Sequence, residues 1–362
     1  MSQRDLEKST FEKLKPIHLS VLPENPLVSV LIANYNYGKY ISEAIESVLN
    51  QNYQYFEIVI CDDGSTDNSL ELVIKFSNRD RRIKYITSTK NGGMARAWNK
   101  AFSKSKGDII CFLDADDLFL PNKLEVIVSS FQRDQQAGFL IHPVEQVNSS
   151  KHFLGIYPLT ERLIEGWIAT KVLSSGGSLE FPPSSALSLR REIANVIFPL
   201  NEAFKSNADG VIQRIAPLLT RVVSVETPLA KRRVHTNNIT FTSDVSVEYL
   251  YRSIRTEENL WKELHRFLES IDADLAQMLI PYRESFSFVL NQYLISRLVR
   301  DKQWVSFWKS LTLHPHYKSC SLSRRMILQC SRFVPSFLFP YYVKIWMSSN
   351  PWKKVLSYVR KI

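Results

Sequence analysis

Cysteine is scarce in this 362-residue chain: four in all (Cys61, Cys111, Cys320 and Cys330), with no C-x-x-C spacing between them. That excludes a disulfide framework and a zinc-ribbon type of site, and a reducing cytosol fits such usage. Cys61 and Cys111 end apolar runs and read as buried thiols. Long apolar runs are missing too. No stretch reaches the ~18 to 20 residues that a membrane-spanning helix needs. The segment Met1 to Lys15 is charged throughout with no apolar core, so a signal peptide is not expected. Charge is plentiful without being extreme, at 23% Asp, Glu, Lys and Arg. That composition is globular and excludes a disordered chain.

Acidic residues are nearly absent from one region. From Ser296 to Ile362 there are 13 Lys or Arg against a single acid, Asp301. The net charge of the whole chain is +10, so residues 1–295 sum to about −2. Trp304, Trp308, Trp346 and Trp352 share that basic segment, which has no recognisable nucleic-acid module.

What is there is an alternation of apolar runs and amphipathic stretches. Val28-Ser29-Val30-Leu31-Ile32-Ala33 reads as a buried strand, followed by a loop at Asn34-Tyr35-Asn36-Tyr37-Gly38. Ile41, Ala44, Ile45, Val48 and Leu49 recur at helical spacing. Phe56 to Cys61 is a second strand, ending in the turn Asp62-Asp63-Gly64-Ser65-Thr66-Asp67. A helix through Leu70, Leu72, Val73 and Phe76 comes next, then a short strand at Ile83 to Ile86. Asn91-Gly92-Gly93 opens a further helix, in which Trp98 reads as packing. The strand Ile109 to Leu113 then runs straight into Asp114-Ala115-Asp116-Asp117. Strand and helix in alternation predict a mostly parallel sheet with helices on both faces.

In such sheets ligands bind beyond the carboxyl ends of the strands. The polar clusters at 34–36, 62–67, 91–93 and 114–117 all follow a strand on that one edge. Three neighbouring carboxylates repel one another and are costly to desolvate, so a cation should sit among them. Hard oxygen ligands suit Mg²⁺ or Mn²⁺ carrying a phosphate-bearing ligand. A carboxylate-rich turn that caps the next helix is the plain alternative.

These segments, with Ser47 to Gln51, Asn99, Leu113 and Pro121 at their spacings, resemble glycosyltransferase family 2. The resemblance is strong over 26–130 and continues to about 240 through Pro182-Pro183-Ser184-Ser185, Arg190-Arg191, Ala208-Asp209-Gly210 and Arg233-Val234-His235-Thr236-Asn237-Asn238. It implies a GT-A fold and inverting transfer of a sugar from a nucleoside diphosphate to an acceptor hydroxyl. The implied donor is a UDP-, GDP- or dTDP-sugar. The implied partners are a glycan or lipid-linked glycan acceptor, and the implied cofactor is Mn²⁺ or Mg²⁺. The setting it suggests is bacterial surface polysaccharide or glycolipid synthesis.

Carried over residue by residue, Asp63 with its neighbour Asp62 resembles the carboxylate that accepts from the nucleobase. Ala33 and Tyr35 resemble contacts around the base, with Asn91 beside them. Asp114 and Asp116 resemble the D-x-D pair. Asp116 would reach the metal and diphosphate, and Asp114 the ribose or the metal. Asp117 and Ser185 fall on the acceptor side, with helix capping as the other reading of Asp117. Asp209 is the candidate general base, with an N-cap as its structural alternative. His235 would approach the metal and Arg233 the phosphates, with Thr236 departing from the family's glycine. Arg190 and Arg191 are expected to be solvated more than acceptor-lining.

The expected organisation is a leader over 1–26 and a GT-A domain over 27–240, with a nucleotide-sugar half (27–130) and an acceptor half (131–240). A helical, basic and aromatic region follows over 241–362. Leu250, Ile254, Leu260, Trp261, Leu264 and Phe267 are spaced as a helix packed on the catalytic domain. The basic, aromatic tail is of a kind that lies on anionic lipid. The expected location is cytoplasmic, peripheral on the inner membrane face. Two other functions stay open. One is a non-catalytic nucleotide-sugar-binding or scaffold protein of the same fold. The other is a nucleotidyltransferase, which would ordinarily carry a Gly-rich, Arg- or Lys-bearing loop where Asn34 to Lys39 stand.

Overall fold

A computed structural model describes residues 10, 12–158, 162–235, 246–314, 317, 322–334, 339 and 342. The chain divides into two compact units. One comprises Lys8–Ala169 and Glu180–His235, the other Met1–Glu7, Thr170–Leu179 and Thr236–Ile362.

The first unit is built on a seven-stranded sheet. Its strands are β1 (Val28–Asn34), β2 (Phe56–Asp62), β3 (Ile83–Thr87), β4 (Ile109–Asp114), β6 (Ala137–Ile141), β9 (Leu187–Arg190) and β10 (Arg221–Ser224). Their order is β10-β6-β9-β4-β1-β2-β3. β1 pairs in parallel with both β2 and β4, and β2 with β3. β9 alone runs antiparallel, between β4 and β6. The mostly parallel sheet expected from the sequence is thus present. β1 and β2 are nearly all apolar because both faces are covered, and Val30, Leu31, Ile32, Ile58, Val59 and Ile60 are fully buried.

The helices follow the apolar spacing. In α1 (Ile41–Leu49), Ile41, Ala44, Ile45 and Val48 face the core. α2 spans Ser69–Ser77 and α3 spans Met94–Lys104. Trp98 of α3 is fully buried and packs on Phe112 at 4.5 Å between ring centroids. α4 (Lys123–Arg133) buries Leu124, Ile127, Val128 and Phe131.

A second sheet was not legible in the sequence. It orders β5 (Leu118–Phe119), β11 (Ala230–Val234), β7 (Val144–Asn148) and β8 (Phe153–Tyr157) as β5-β11-β7-β8. β5 has two residues and β11 is Ala-Lys-Arg-Arg-Val, so neither shows an apolar run. β11 matters because it brings Arg233, and His235 just beyond it, to the acidic turn after β4. After α5 (Ala169–Ser175) and α6 (Arg191–Ile197), α7 (Asp209–Leu219) carries Asp209 as its first residue.

Arg190 and Arg191 correct an expectation: Arg190 is buried and Arg191 half-buried, and both are hydrogen-bonded within the fold. Arg190 is 1% exposed and donates to Ser20 O at 2.6 Å and Glu192 Oε1 at 2.9 Å. Arg191 donates to Gly107 O and to Ser105 Oγ. Both staple the far end of β9 rather than line a cleft.

The second unit is helical, as the spacing over 245–300 predicts. α8 (Val247–Ile271) is capped by Ser246, whose side chain accepts from Tyr249 N at 3.1 Å. Leu250, Ile254, Leu260, Leu264 and Leu268 form its buried stripe. The later helices are α9 (Ala273–Met278), α10 (Phe286–Leu298), α11 (Trp304–Leu313) and α12 (Leu322–Ser331). Arg297 lies between the rings of Trp304 and Phe339, at 4.7 and 4.3 Å from their centroids. It donates to the carbonyls of Ser331 and Val334, so this part of the basic, aromatic segment is a packed core. Trp346 and Trp352 lie outside the described residues. Among the described residues no helix is long and apolar enough to cross a membrane.

Candidate active site

Parallel pairing brings three strand ends level. Ala33 of β1 stands opposite Cys61 and Asp114, and Asn34 opposite Asp62. The loops at 34–36, 62–67, 91–93 and 114–117 leave the sheet at this edge.

On the β1–β2 side, Asp62 is 1% exposed and inward. Its carboxylate accepts from Asn34 Nδ2 at 2.7 Å, from Ser65 Oγ at 2.7 Å and from Ser65 N at 3.1 Å. Asp62 therefore ties the two loops together. Asn36, at φ 59°, reinforces the tie by accepting from Thr66 N at 2.7 Å. Asp63 is different. Its Oδ2 accepts from both Gly92 N and Gly93 N, each at 2.7 Å. Its Oδ1 is buried with no partner. An orphaned carboxylate oxygen costs ~1 to 3 kcal/mol, which a ligand N–H would return. Gly93 is required here: its φ is +93°, and a Cβ would lie 2.4 Å from Lys205 Cα. The ring of Tyr35 is 39% exposed above this edge, Ala33 is half-buried and Asn91 is exposed.

On the β4 side, ligand-capable oxygens of Asp114, Asp116 and Asp117 lie within 4.8 Å of one another. Asp114 Oδ2 accepts from Ser184 Oγ at 2.5 Å, and its N–H donates to Ser185 Oγ at 3.0 Å. Burial and the Asp116 charge push the Asp114 carboxyl up to about 7, with Ser184 opposing and Asp209 adding to the rise. Asp117 is 2% exposed, and both its oxygens are engaged. Oδ2 accepts from Ser185 Oγ at 2.6 Å, and Oδ1 from Arg233 N at 2.8 Å. Burial, Asp116 and Asp114 drive its carboxyl upward as well. Asp117 thus joins the end of β4 to the turn before β9 and to β11, and caps no helix; α4 begins after Asn122.

Asp116 Oδ2 meets His235 Nε2 at 2.9 Å. The imidazole stacks on Tyr40, 5.0 Å between centroids, with Tyr37 at its edge. The Tyr37 phenol is driven upward by burial and then by Asp116, Asp114 and Asp117. Arg233 is 2% exposed. It donates to Asp116 O at 2.8 Å and to Glu43 Oε2 at 2.9 Å, over the Tyr40 ring at 4.7 Å. Its guanidinium holds the acidic turn from behind.

Asp209 follows Ala208, the N-cap of α7, and so does not occupy the cap position. Burial raises its carboxyl, against the pull of the N–H groups at the helix start, Arg232 and Arg214. Its charge is among those that raise the Asp114 carboxyl.

Three oxygen donors with two carboxyls forced upward describe a site short of positive charge. A hard divalent cation fits that donor set. Reasoning from sequence missed Ser184 as a partner of Asp114, Tyr37 and Tyr40 as the aromatic wall, and Lys123 behind Ser185. Lys123 had left a signal. It shares the i, i+4, i+8 stripe of Ile127 and Phe131, a charge on the buried face of a helix.

Residues 29–198 match the family described as Glycosyl transferase family 2. An uncharacterized glycosyltransferase of Nostoc sp. is 35% identical over 213 residues, 58% of this chain and 66% of that protein. The Escherichia coli UDP-Glc:alpha-D-GlcNAc-diphosphoundecaprenol beta-1,3-glucosyltransferase is 39% identical over 124 residues, 34% of this chain and 48% of that protein. The matched stretch thus spans less than two thirds of each relative's length. In fold, the chain is similar to the crystal structure of S. aureus TarS 1-349 in complex with UDP-GlcNAc. That likeness has a TM-score of 0.55 at 21% identity, over 89% of this chain and 92% of that one. The acidic turn after β4, the mostly parallel sheet and this family match agree: residues 29–198 form a glycosyl transferase family 2 domain, and the chain has the GT-A fold.

Proposed function

We propose that this protein is an inverting glycosyltransferase. It moves a sugar from a nucleoside-diphosphate donor to an acceptor hydroxyl, in making a bacterial surface polysaccharide or glycolipid. The observation that carries this reading is the pairing, on one sheet edge, of an unpartnered buried oxygen on Asp63 with the acid group Asp114, Asp116 and Asp117. The first suits a nucleobase N–H; the second suits a metal-bound diphosphate.

The roles divide as follows. Asp63 accepts from the base, while Asp62, Asn34 and Asn36 hold the loops that carry it. Ala33, Tyr35 and Asn91 line the nucleotide. Asp116 and Asp114 would hold Mn²⁺ or Mg²⁺, with His235 fixing Asp116 or joining the ligand set. When bound, that cation neutralises charge on the departing diphosphate, which is Lewis acid catalysis. Asp117, Ser185 and Arg233 position the acidic turn rather than touch acceptor or phosphate. Asp209 takes the proton of the acceptor hydroxyl as that oxygen bonds to the anomeric carbon and the diphosphate leaves. Its raised affinity for protons suits a base. The catalytic part is 27–240, and the basic tail within 241–362 contacts anionic lipid where a lipid-linked acceptor would lie.

The test is release of nucleoside diphosphate from a panel of nucleotide sugars with Mn²⁺, for the wild type and Asp209→Asn. Transfer lost with donor binding kept supports the reading. Donor binding with no turnover by the wild type, unaltered by Asp209→Asn, points instead to a binding or scaffold protein. Equal co-sedimentation of the full chain and a 1–300 truncation with anionic vesicles removes the lipid contact.

A further inference from the structure

The acidic turn has a back side, and its chemistry is that of a fixed cation. Lys123 is 0% exposed, at the start of α4. Its Nζ lies 2.6 Å from Ser185 O, 2.9 Å from His142 Nε2 and 3.9 Å from the centroid of the Phe119 ring. His142 Nδ1 lies 2.7 Å from Pro143 O, a carbonyl, so Nδ1 carries the proton and Nε2 presents a lone pair. All three neighbours of Nζ are acceptors. An ammonium has three donors and no acceptor, and it satisfies the set; a neutral amine would point a lone pair at one of them.

Ser185 connects this cation to the acids. Its carbonyl takes Lys123, while its hydroxyl accepts from Asp114 N and donates to Asp117 Oδ2. No step of sugar transfer touches Lys123. Burial pulls the Lys123 ammonium down to about 7, with Cys111 and Asp117 acting the other way, so a charge retained here needs a partner.

We propose that Lys123 is a positioning residue. Its buried ammonium is the built-in countercharge that holds Asp114, Asp116 and Asp117 together at the end of β4 before a divalent cation binds. The metal part rests on the reading given under Proposed function; the charge coupling to Asp117 does not. The countercharge and a bound metal act on the same acids, so each should offset loss of the other.

The experiment is thermal unfolding of the full chain as wild type, Lys123→Met, Asp117→Asn and the double variant, each in EDTA and in Mn²⁺. Lys123→Met should lose about 3 °C or more in EDTA and recover more of it with Mn²⁺ than the wild type gains. Mn²⁺ titrated without nucleotide should bind Lys123→Met about tenfold more tightly, since a like charge has gone. In EDTA the double variant should lose less than the two single losses added. Equal losses with and without Mn²⁺, additive with Asp117→Asn, would mean that Lys123 only packs, and would overturn the proposal. Should Lys123→Met fail to fold, Lys123→Gln keeps a donor for Ser185 O without the charge and is held to the same outcomes. If the wild type binds no Mn²⁺, the metal reading falls, and the EDTA cycle alone decides: coupling sustains the proposal and additivity ends it.

Discussion

Asp63→Asn separates holding a loop from holding a ligand. In the wild type, Oδ2 takes two backbone N–H groups at 2.7 Å and Oδ1 takes none. An asparagine has the same shape but one oxygen. Gly92 and Gly93 will claim it, since two buried donors outweigh an empty position. The amide nitrogen is then left where Oδ1 stood. The fold should lose only about 1 kcal/mol, because both glycine N–H groups keep an acceptor. A ligand N–H arriving at that position meets a donor instead of a charged acceptor. A hydrogen bond to a charged group contributes about 1.5 to 3 kcal/mol, so nucleotide affinity should fall roughly 10- to 150-fold. Calorimetric titration with UDP, GDP and dTDP in Mn²⁺, beside thermal unfolding of the unliganded proteins, reads both numbers. Asp63→Ala is the contrast: it strands both glycine donors and should also destabilise the free protein, by ~2 kcal/mol or more. Full nucleotide affinity in Asp63→Asn would refute the assignment of Oδ1 to the base.

Three further outcomes are expected. Asp116→Asn should remove the Mn²⁺ dependence of nucleoside diphosphate binding; unchanged metal-assisted binding by calorimetry would contradict the metal assignment. In EDTA the protein should lose stability as pH rises from about 4 to 7. Asp114 holds its proton to about 7 when folded but only to 3.8 unfolded, so the folded state binds more protons across that window. The loss from Asp114 has a ceiling on the order of 4 kcal/mol. Chemical denaturation across pH should show the slope and Asp114→Asn should reduce it, leaving the share of Asp117 and Asp209; a flat wild-type profile would refute the upward shift. Leu264→Ala, at 1% exposure in α8, should cost about 2 to 5 kcal/mol in denaturant unfolding without altering nucleotide affinity.

How much of this was legible depends on the range of the interaction that places each residue. The β1–α1–β2 and α3–β4 segments were readable because local periodicity and the apolar runs of fully covered strands declare themselves. Asp63, Asp114 and Asp116 were readable because they stand at strand ends, where a parallel sheet leaves its loops. Arg190 was misjudged because a guanidinium in polar company looks solvated until the chain brings Ser20 and Glu192 to it. β11 was invisible as a strand because its partners β5 and β7 lie 111 and 86 positions away by register, Ala230 opposite Phe119 and Val144. Motif residues that suggest chemistry also proved to be fasteners. Gln51 donates to Leu120 O at 2.7 Å and accepts from Leu124 N at 3.0 Å, pinning the end of α1 to the start of α4. Asn99 does the same to Leu200, donating at 2.8 Å and accepting at 2.7 Å.

The acidic turn shows why a short motif does not assign its own members. Asp114, Asp116 and Asp117 are equivalent on the page of the sequence, yet each meets a different surround. Asp114 ends β4 and takes Ser184. Asp116 has His235, brought by β11. Asp117 points back to Ser185 and the Arg233 backbone. The division follows from backbone direction after the strand, and from two segments 68 to 119 positions away that converge there. On the proposed function, repulsion among the three is met on both sides of the turn: by Lys123 and Arg233 from within, and by a divalent cation from the open side. On that reading, a cation held on the open side only would leave the diphosphate a route in and out. A site whose countercharge was wholly internal would hold its acids equally well and would have nothing to offer a phosphate.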